Sequence, residues 1–101
     1  MELEVRGRHM QVSDALRAHL ARRLGFALGR VSDRIGKIQV RLEDINGPKG
    51  GIDKRCRIHV AGDRGWLVVV EKYDSDAYAA VDGAADRAGR AVKRALGRIT
   101  H

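Results

Sequence analysis

The segment Lys37–Glu71, KIQVRLEDINGPKGGIDKRCRIHVAGDRGWLVVVE, contains three runs with the two-residue period of a β-strand. In Lys37–Glu43, Ile38, Val40 and Leu42 alternate with Lys37, Gln39, Arg41 and Glu43, so one face is apolar and the other polar. Lys54–Val60 repeats the pattern, with Cys56, Ile58 and Val60 inward and Arg55, Arg57 and His59 outward. Trp66–Glu71 is the third run. Turning Trp66, Val68 and Val70 to the core leaves Leu67 and Val69 on the other face, so this strand is apolar on both sides. A slip of one residue would exchange its faces. Asp44–Asp53 carries NGPKGG and the only proline, and reads as a loop. Gly62–Gly65 reads as a hairpin turn.

Outward from this meander, Glu2–Arg6 alternates around Leu3 and Val5 and forms a first short strand. Ser13 is placed to cap a helix, with Asp14 in its first turn, where the helix dipole favours an acid. Leu16, Leu20, Leu24, Ala27, Leu28 and Val31 then make an apolar stripe. Gly25 and Gly29 weaken that helix, and mark either a close backbone approach or fraying. Tyr73–His101, YDSDAYAAVDGAADRAGRAVKRALGRITH, supplies a terminal helix capped by Asp74 or Ser75. Its apolar face carries Tyr78, Val81, Ala85, Ala88, Val92, Leu96 and Ile99. The order is β-α-β-β-β-α. The opening strand–helix–strand unit predicts parallel pairing of the first two strands through a right-handed crossover. Both amphipathic helices need a surface to bury against. The expected fold is α+β: a four-stranded sheet with two helices packed on one face, in a single domain over residues 1–101 with no linker.

The chain has 101 residues, a formal net charge of +7 and 33% charged residues. That excess favours a polyanionic partner, nucleic acid before membrane. An apolar content of 44% excludes wholesale disorder. The aromatics are only Phe26, Trp66, Tyr73 and Tyr78, which favours recognition of backbone and shape over base stacking. A single cysteine, Cys56, excludes an internal disulfide and fits a reducing compartment. No stretch reaches the length of a signal peptide core or a membrane span. The expectation is a cytoplasmic protein that engages no membrane.

The leading candidate site is a basic surface shared by the two helices. Arg87, Arg90, Arg94 and Arg98 recur along one face of the terminal helix, nearly opposite its apolar face, with Lys93 beside them and no acid after Asp86. The first helix adds Arg22, Arg23 and Arg30. Guanidinium forks bind phosphate oxygens in bidentate fashion. The bland reading is a solvated helix whose early acids and late bases match its dipole. The outer sheet face, with Lys37, Arg41, Arg55, Arg57 and His59 and possible help from Arg6, is the second candidate, though half-exposed sheets show such alternation generally. The loop bearing Lys49 and Lys54 reads equally as an arm reaching into a groove or as a mobile connector. Cys56 and His59 lie three apart on a strand and point to opposite faces, so they do not make a metal site, and Cys56 reads as a core thiol. His9, His19 and His101 are scattered and read as exposed. Asp82 and Asp86 share a helix face, but no converging groups accompany them, and the glycines at 47, 50 and 51 are not in a strand-to-helix phosphate loop. No enzyme activity, cofactor, metal or small-molecule substrate is expected.

Asp76-Ala77-Tyr78-Ala79-Ala80-Val81-Asp82 resembles the D-[M/L]-Y-A-A-I-D pattern that opens the last helix in the bacterial ribosome hibernation-promoting factors and ribosome-associated inhibitors, also called sigma-54 modulation proteins. Arg87, Arg90 and Arg94 continue the resemblance, and Ser13–Arg17 and Asp33–Ile35 are similar upstream. The resemblance covers nearly the whole chain. It implies a fold like that of double-stranded-RNA-binding domains and attachment to rRNA in the decoding region of the small ribosomal subunit. There the protein would occupy space needed by messenger and transfer RNA and silence translation under stress or in stationary phase. The sequence ends at His101, so the extra domain by which long members pair ribosomes is not expected. The 46–51 loop and the run Asp53–Arg57 depart from the better-known short members and leave the ribosomal role open. Two rivals stand beside this reading. One is a protein–protein module or weak homodimer using Leu67 and Val69; the other is a general duplex-RNA binder.

Overall fold

Alternation becomes pairing in a computed structural model, which describes residues 1–47 and 51–99, Ile99 by its backbone only. Pro48, Lys49 and Gly50 of the connector, together with Thr100 and His101, lie outside the described residues, as does the Ile99 side chain. The strands are β1 (Glu2–Arg8), β2 (Ile35–Asp44), β3 (Lys54–Gly62) and β4 (Leu67–Asp74); the helices are α1 (Asp14–Leu28) and α2 (Ala77–Ile99). The sheet order is β1-β2-β3-β4. β1 runs parallel to β2, and the other two pairings are antiparallel. The β-α-β-β-β-α order and the mixed four-stranded sheet are as the periodicities predict.

The register stacks the inward residues in rows: Val5 beside Val40, Val40 beside Ile58, and Ile58 beside Val70. Ile38, Leu42, Cys56, Ile58 and Val60 have no solvent exposure. The helices close this face. Leu16, Leu20, Leu24 and Leu28, spaced four apart, form the buried edge of α1, and Ala80, Val81, Ala84, Ala85, Ala88, Val92, Ala95 and Leu96 form that of α2. Alanines dominate α2 because it lies close against β3, β4 and α1 at once. Cys56 sits in this core, and burial pushes its thiol up to about 12.

Four local readings change. The first helix ends at Leu28, and Gly29–Arg34 continues as a 3-10 turn interrupted at Val31, leaving Val31 half-buried. α2 is capped by Asp76, not by Asp74 or Ser75: the Tyr78 amide donates to Asp76 Oδ1 at 2.9 Å. Asp74 Oδ1 instead accepts from the Asp76 amide at 3.1 Å, forming the turn that delivers Asp76 to the cap. Tyr78 is not in the core but 40% exposed, its ring edge-on to His19 at 5.1 Å between centroids. Among the described residues, nothing lies within 4 Å of a Cβ placed on Gly25 or Gly29. The expected inward turn of Val68 and outward turn of Leu67 and Val69 hold, with Leu67 60% exposed.

The β3–β4 hairpin is fixed by packing over a glycine. A Cβ on Gly62 would stand 1.8 Å from the Trp66 ring, so the indole lies directly on the bare backbone. Trp66 Nε1 donates to Asp63 at 3.1 Å, and Arg34 Nε donates to the same carboxylate at 2.7 Å, tying the hairpin tip to the turn after α1.

Candidate nucleic-acid interface

The two helices lie side by side and run in the same direction. Two side-chain hydrogen bonds between them share one offset: His19 to Asp82 and Arg23 to Asp86 are each 63 positions apart. Ala27 faces Gly89, where an added Cβ would stand 3.3 Å from both the Ala27 Cβ and its carbonyl oxygen. Parallel alignment brings like halves together. Asp14, Asp82 and Asp86 belong to the leading part of the pair, and Arg30, Arg90, Lys93, Arg94 and Arg98 to the trailing part. Basic side chains there also complement the negative ends of both helix dipoles.

An acidic knot holds the leading half. Asp82 Oδ1 accepts from His19 Nε2 at 2.6 Å and lies 3.4 Å from Arg23 Nε, while Arg23 Nη2 donates to Asp86 at 3.2 Å. Arg22 reaches His19 Nδ1 at 3.4 Å, the far end of the same chain of contacts. His19 is thus an interhelical bridge, not the exposed residue its isolated position in the sequence suggested. Arg87 is also engaged, its guanidinium donating to the Glu71 carbonyl at 2.6 Å and stitching α2 to β4. Arg23 and Arg87, both on the predicted basic surface, therefore have structural partners. Arg30, Arg90, Lys93, Arg94 and Arg98 are exposed and, among the described residues, have no carboxylate partner.

The open sheet face differs. Its register places Arg6 beside Arg41, Arg41 beside Arg57, and Arg57 beside Glu71 in one row across four strands. Glu4 lies between Arg6 and Lys37, each at 3.1 Å, and its carboxyl is held below the usual range chiefly by the Lys37 ammonium. Arg57 pairs with Glu71 at 3.1 Å. The buried Glu43 joins Arg55 and Arg8. Arg41 is the cation of this face without a carboxylate partner among the described residues, in a shallow depression with Gln39 and His59. In the connector, Lys54 is held by Asp53 at 2.9 Å and Asp44 at 3.4 Å. Cys56 and His59 fall on opposite sheet faces.

One feature of the helix side escaped the sequence reading. Phe26 is 89% exposed and lies on α1 off the leucine stripe, beside a groove formed with Ala27, Asp86, Gly89, Arg90 and Lys93. Its signal was present: an aromatic two positions after a stripe leucine cannot share the stripe's face.

Fold and surface together define a class, a two-layer α+β domain presenting a parallel pair of basic helices. The chain belongs to the family described as sigma 54 modulation protein / S30EA ribosomal protein, whose model matches residues 3–100. It is similar to the crystal structure of the Thermus thermophilus Protein Y N-terminal domain, with 34% identity and a TM-score of 0.76, over 93% of this chain and 98% of that one. A ribosomal subunit interface protein from Coxiella burnetii, 22% identical, shares the fold with a TM-score of 0.76, over 95% of this chain and 99% of that one. Comparison with curated proteins finds no match. Among the described residues, no helix is long and apolar enough to cross a membrane.

Proposed function

We propose that this ribosome-associated family member binds rRNA of the small subunit through the trailing half of its helix pair, occupies the decoding region, and keeps out messenger and transfer RNA. The observation that carries the reading is the contrast between two basic surfaces. On the sheet, all but one of the arginine and lysine side chains facing out of the central rows meet a carboxylate. On the helices, Arg30, Arg90, Lys93, Arg94 and Arg98 meet none among the described residues. Cations already neutralised by their own fold add little to phosphate binding, whereas unpartnered ones release counterions from the polyanion. The stretch from Arg87 to Arg98 spans roughly 16 Å of helix, enough for several phosphates. Inhibition by this route is occupancy: it needs no bond making, no cofactor and no turnover. The packed core beneath the stripe makes the domain a rigid plug, so the volume it fills is closed to other ligands.

Co-sedimentation with purified small subunits tests this. With about five phosphates neutralised, log affinity falls against log salt with a slope near −3.5 to −4.5. Excess free duplex RNA leaves the association in place. Arg90→Glu with Arg94→Glu is expected to abolish it while leaving the circular dichroism spectrum unchanged. Unchanged association of that double variant would sink the proposal, and equal competition by duplex RNA would make the protein a general duplex binder. Arg87 is left out because its bond to Glu71 gives it a structural part.

A further inference from the structure

We infer that Phe26 is a stacking platform for a single unpaired nucleobase, and that the groove beside it seats the attached nucleotide. Building on the RNA-binding reading above, it adds a contact that the cationic stripe does not supply. Phe26 is 89% exposed, the largest exposure among the bulky apolar side chains of the described residues. Leu16, Leu20, Leu24 and Leu28 take the whole buried edge of α1, so the ring contributes nothing to the core. The groove measures about 260 Å³ and is wide and shallow. Ala27 and Gly89 form its floor, which is low because Gly89 brings no side chain to the helix crossing. Phe26 stands on one side, Arg90 and Lys93 on the other. A base lying on the ring would thus place its phosphate toward two cations that have no carboxylate partner among the described residues.

The surroundings select the occupant. Arg22 lies one turn before Phe26 on its own helix, and Arg30 follows in the 3-10 turn after Leu28, so positive charge flanks the ring along its own chain as well as across the groove. Asp86, the acid at the groove, is already held by Arg23 at 3.2 Å. An apolar protein anchor would prefer an apolar fringe, whereas a polyanion with a flat aromatic face matches both the ring and the charge. Duplex bases are stacked on one another and out of reach, so the ligand is a base in a loop, bulge or single strand. The scarcity of aromatics fits one base, not a run of them.

The test measures affinity for small subunits in wild type, Phe26→Ala, Phe26→Leu and Phe26→Trp, with melting curves confirming equal folding, as expected for a solvent-facing ring. Loss of one base–aromatic stack weakens binding roughly 5- to 150-fold. Both Ala and Leu should show this, Trp should restore wild-type affinity, and the salt slope should be the same throughout because no phosphate contact is lost. Wild-type affinity in Phe26→Ala overturns the inference. Wild-type affinity in Phe26→Leu with loss in Phe26→Ala overturns it too, because apolar burial against a protein would then explain the site. If wild type itself fails to co-sediment, the ribosomal reading falls, and stacking is decided with a short single-stranded oligonucleotide carrying 2-aminopurine. Fluorescence quenching by wild type but not by Phe26→Leu upholds it; equal fluorescence with both proteins ends it.

Discussion

Asp82 joins two side chains at once, His19 at 2.6 Å and Arg23 at 3.4 Å, and each comes from the neighbouring helix. Removing that carboxylate leaves two basic groups facing each other, but the site is partly exposed, so water and salt soften the effect. Asp82→Ala should lower stability by about 0.5–1 kcal/mol, less at high salt, measured by denaturant unfolding. No sequence pattern announces this contact, since nothing local links positions 63 apart, and for the same reason Arg23 could be read only as a surface charge. Cys56 is the opposite case, legible from strand alternation alone. Its thiol has no solvent exposure and titrates at about 12 instead of its ordinary 9.0 because burial disfavours the thiolate. The unfolded chain therefore loses this proton at lower pH than the native one. The contribution to stability is intact below about pH 9 and is lost as pH rises toward 12. Unfolding midpoints at pH 8 and pH 11 check this: the drop should shrink in Cys56→Ala. A thiol reagent at pH 8 should label the native protein far more slowly than the unfolded one.

Periodicity served the elements better than their ends. The strand faces at 37–43 and 54–60 were legible because a half-buried sheet allows only one assignment of alternating residues. The start of α2 was not, because Asp74, Ser75 and Asp76 are all competent caps and only the turn made by Asp74 decides among them. The break after Leu28 was hidden because Val31 keeps the apolar spacing although the backbone has left the α-helix. The helix–helix crossing gives a prediction of its own. Gly89→Leu drives a side chain into Ala27, and should cost about 1–3 kcal/mol by overpacking, seen as a lower melting temperature. Gly25→Ala, on the exposed side of α1 with none of the described residues near its added Cβ, should raise stability by about 0.5–1 kcal/mol through helix propensity alone.

For the whole molecule, the rival expectation of a homodimer has Leu67, Val69 and Tyr73 in its favour, exposed together on the edge strand. Three side chains fall well short of the roughly 800 Å² per partner that a stable interface covers. The sedimentation mass should therefore stay that of a monomer as concentration rises, and should be unaffected by Leu67→Lys with Val69→Lys. A concentration-dependent mass that this double variant abolishes would restore the rival. The parallel alignment of α1 with α2 bears on the order in which the protein takes shape. The β2–β3–β4 meander closes on short connections and can form early, whereas every α1–α2 contact waits for the chain to fold back over some sixty residues. Kinetic analysis of core variants should find Ile58→Val slowing folding and Gly89→Ala chiefly altering the unfolding rate. A chain caught halfway would then hold the β2–β3–β4 meander and all its arginines, yet no two helices aligned to present them. The capacity to grip a polyanion arrives last, with the final docking step, and leaves first when the domain loosens.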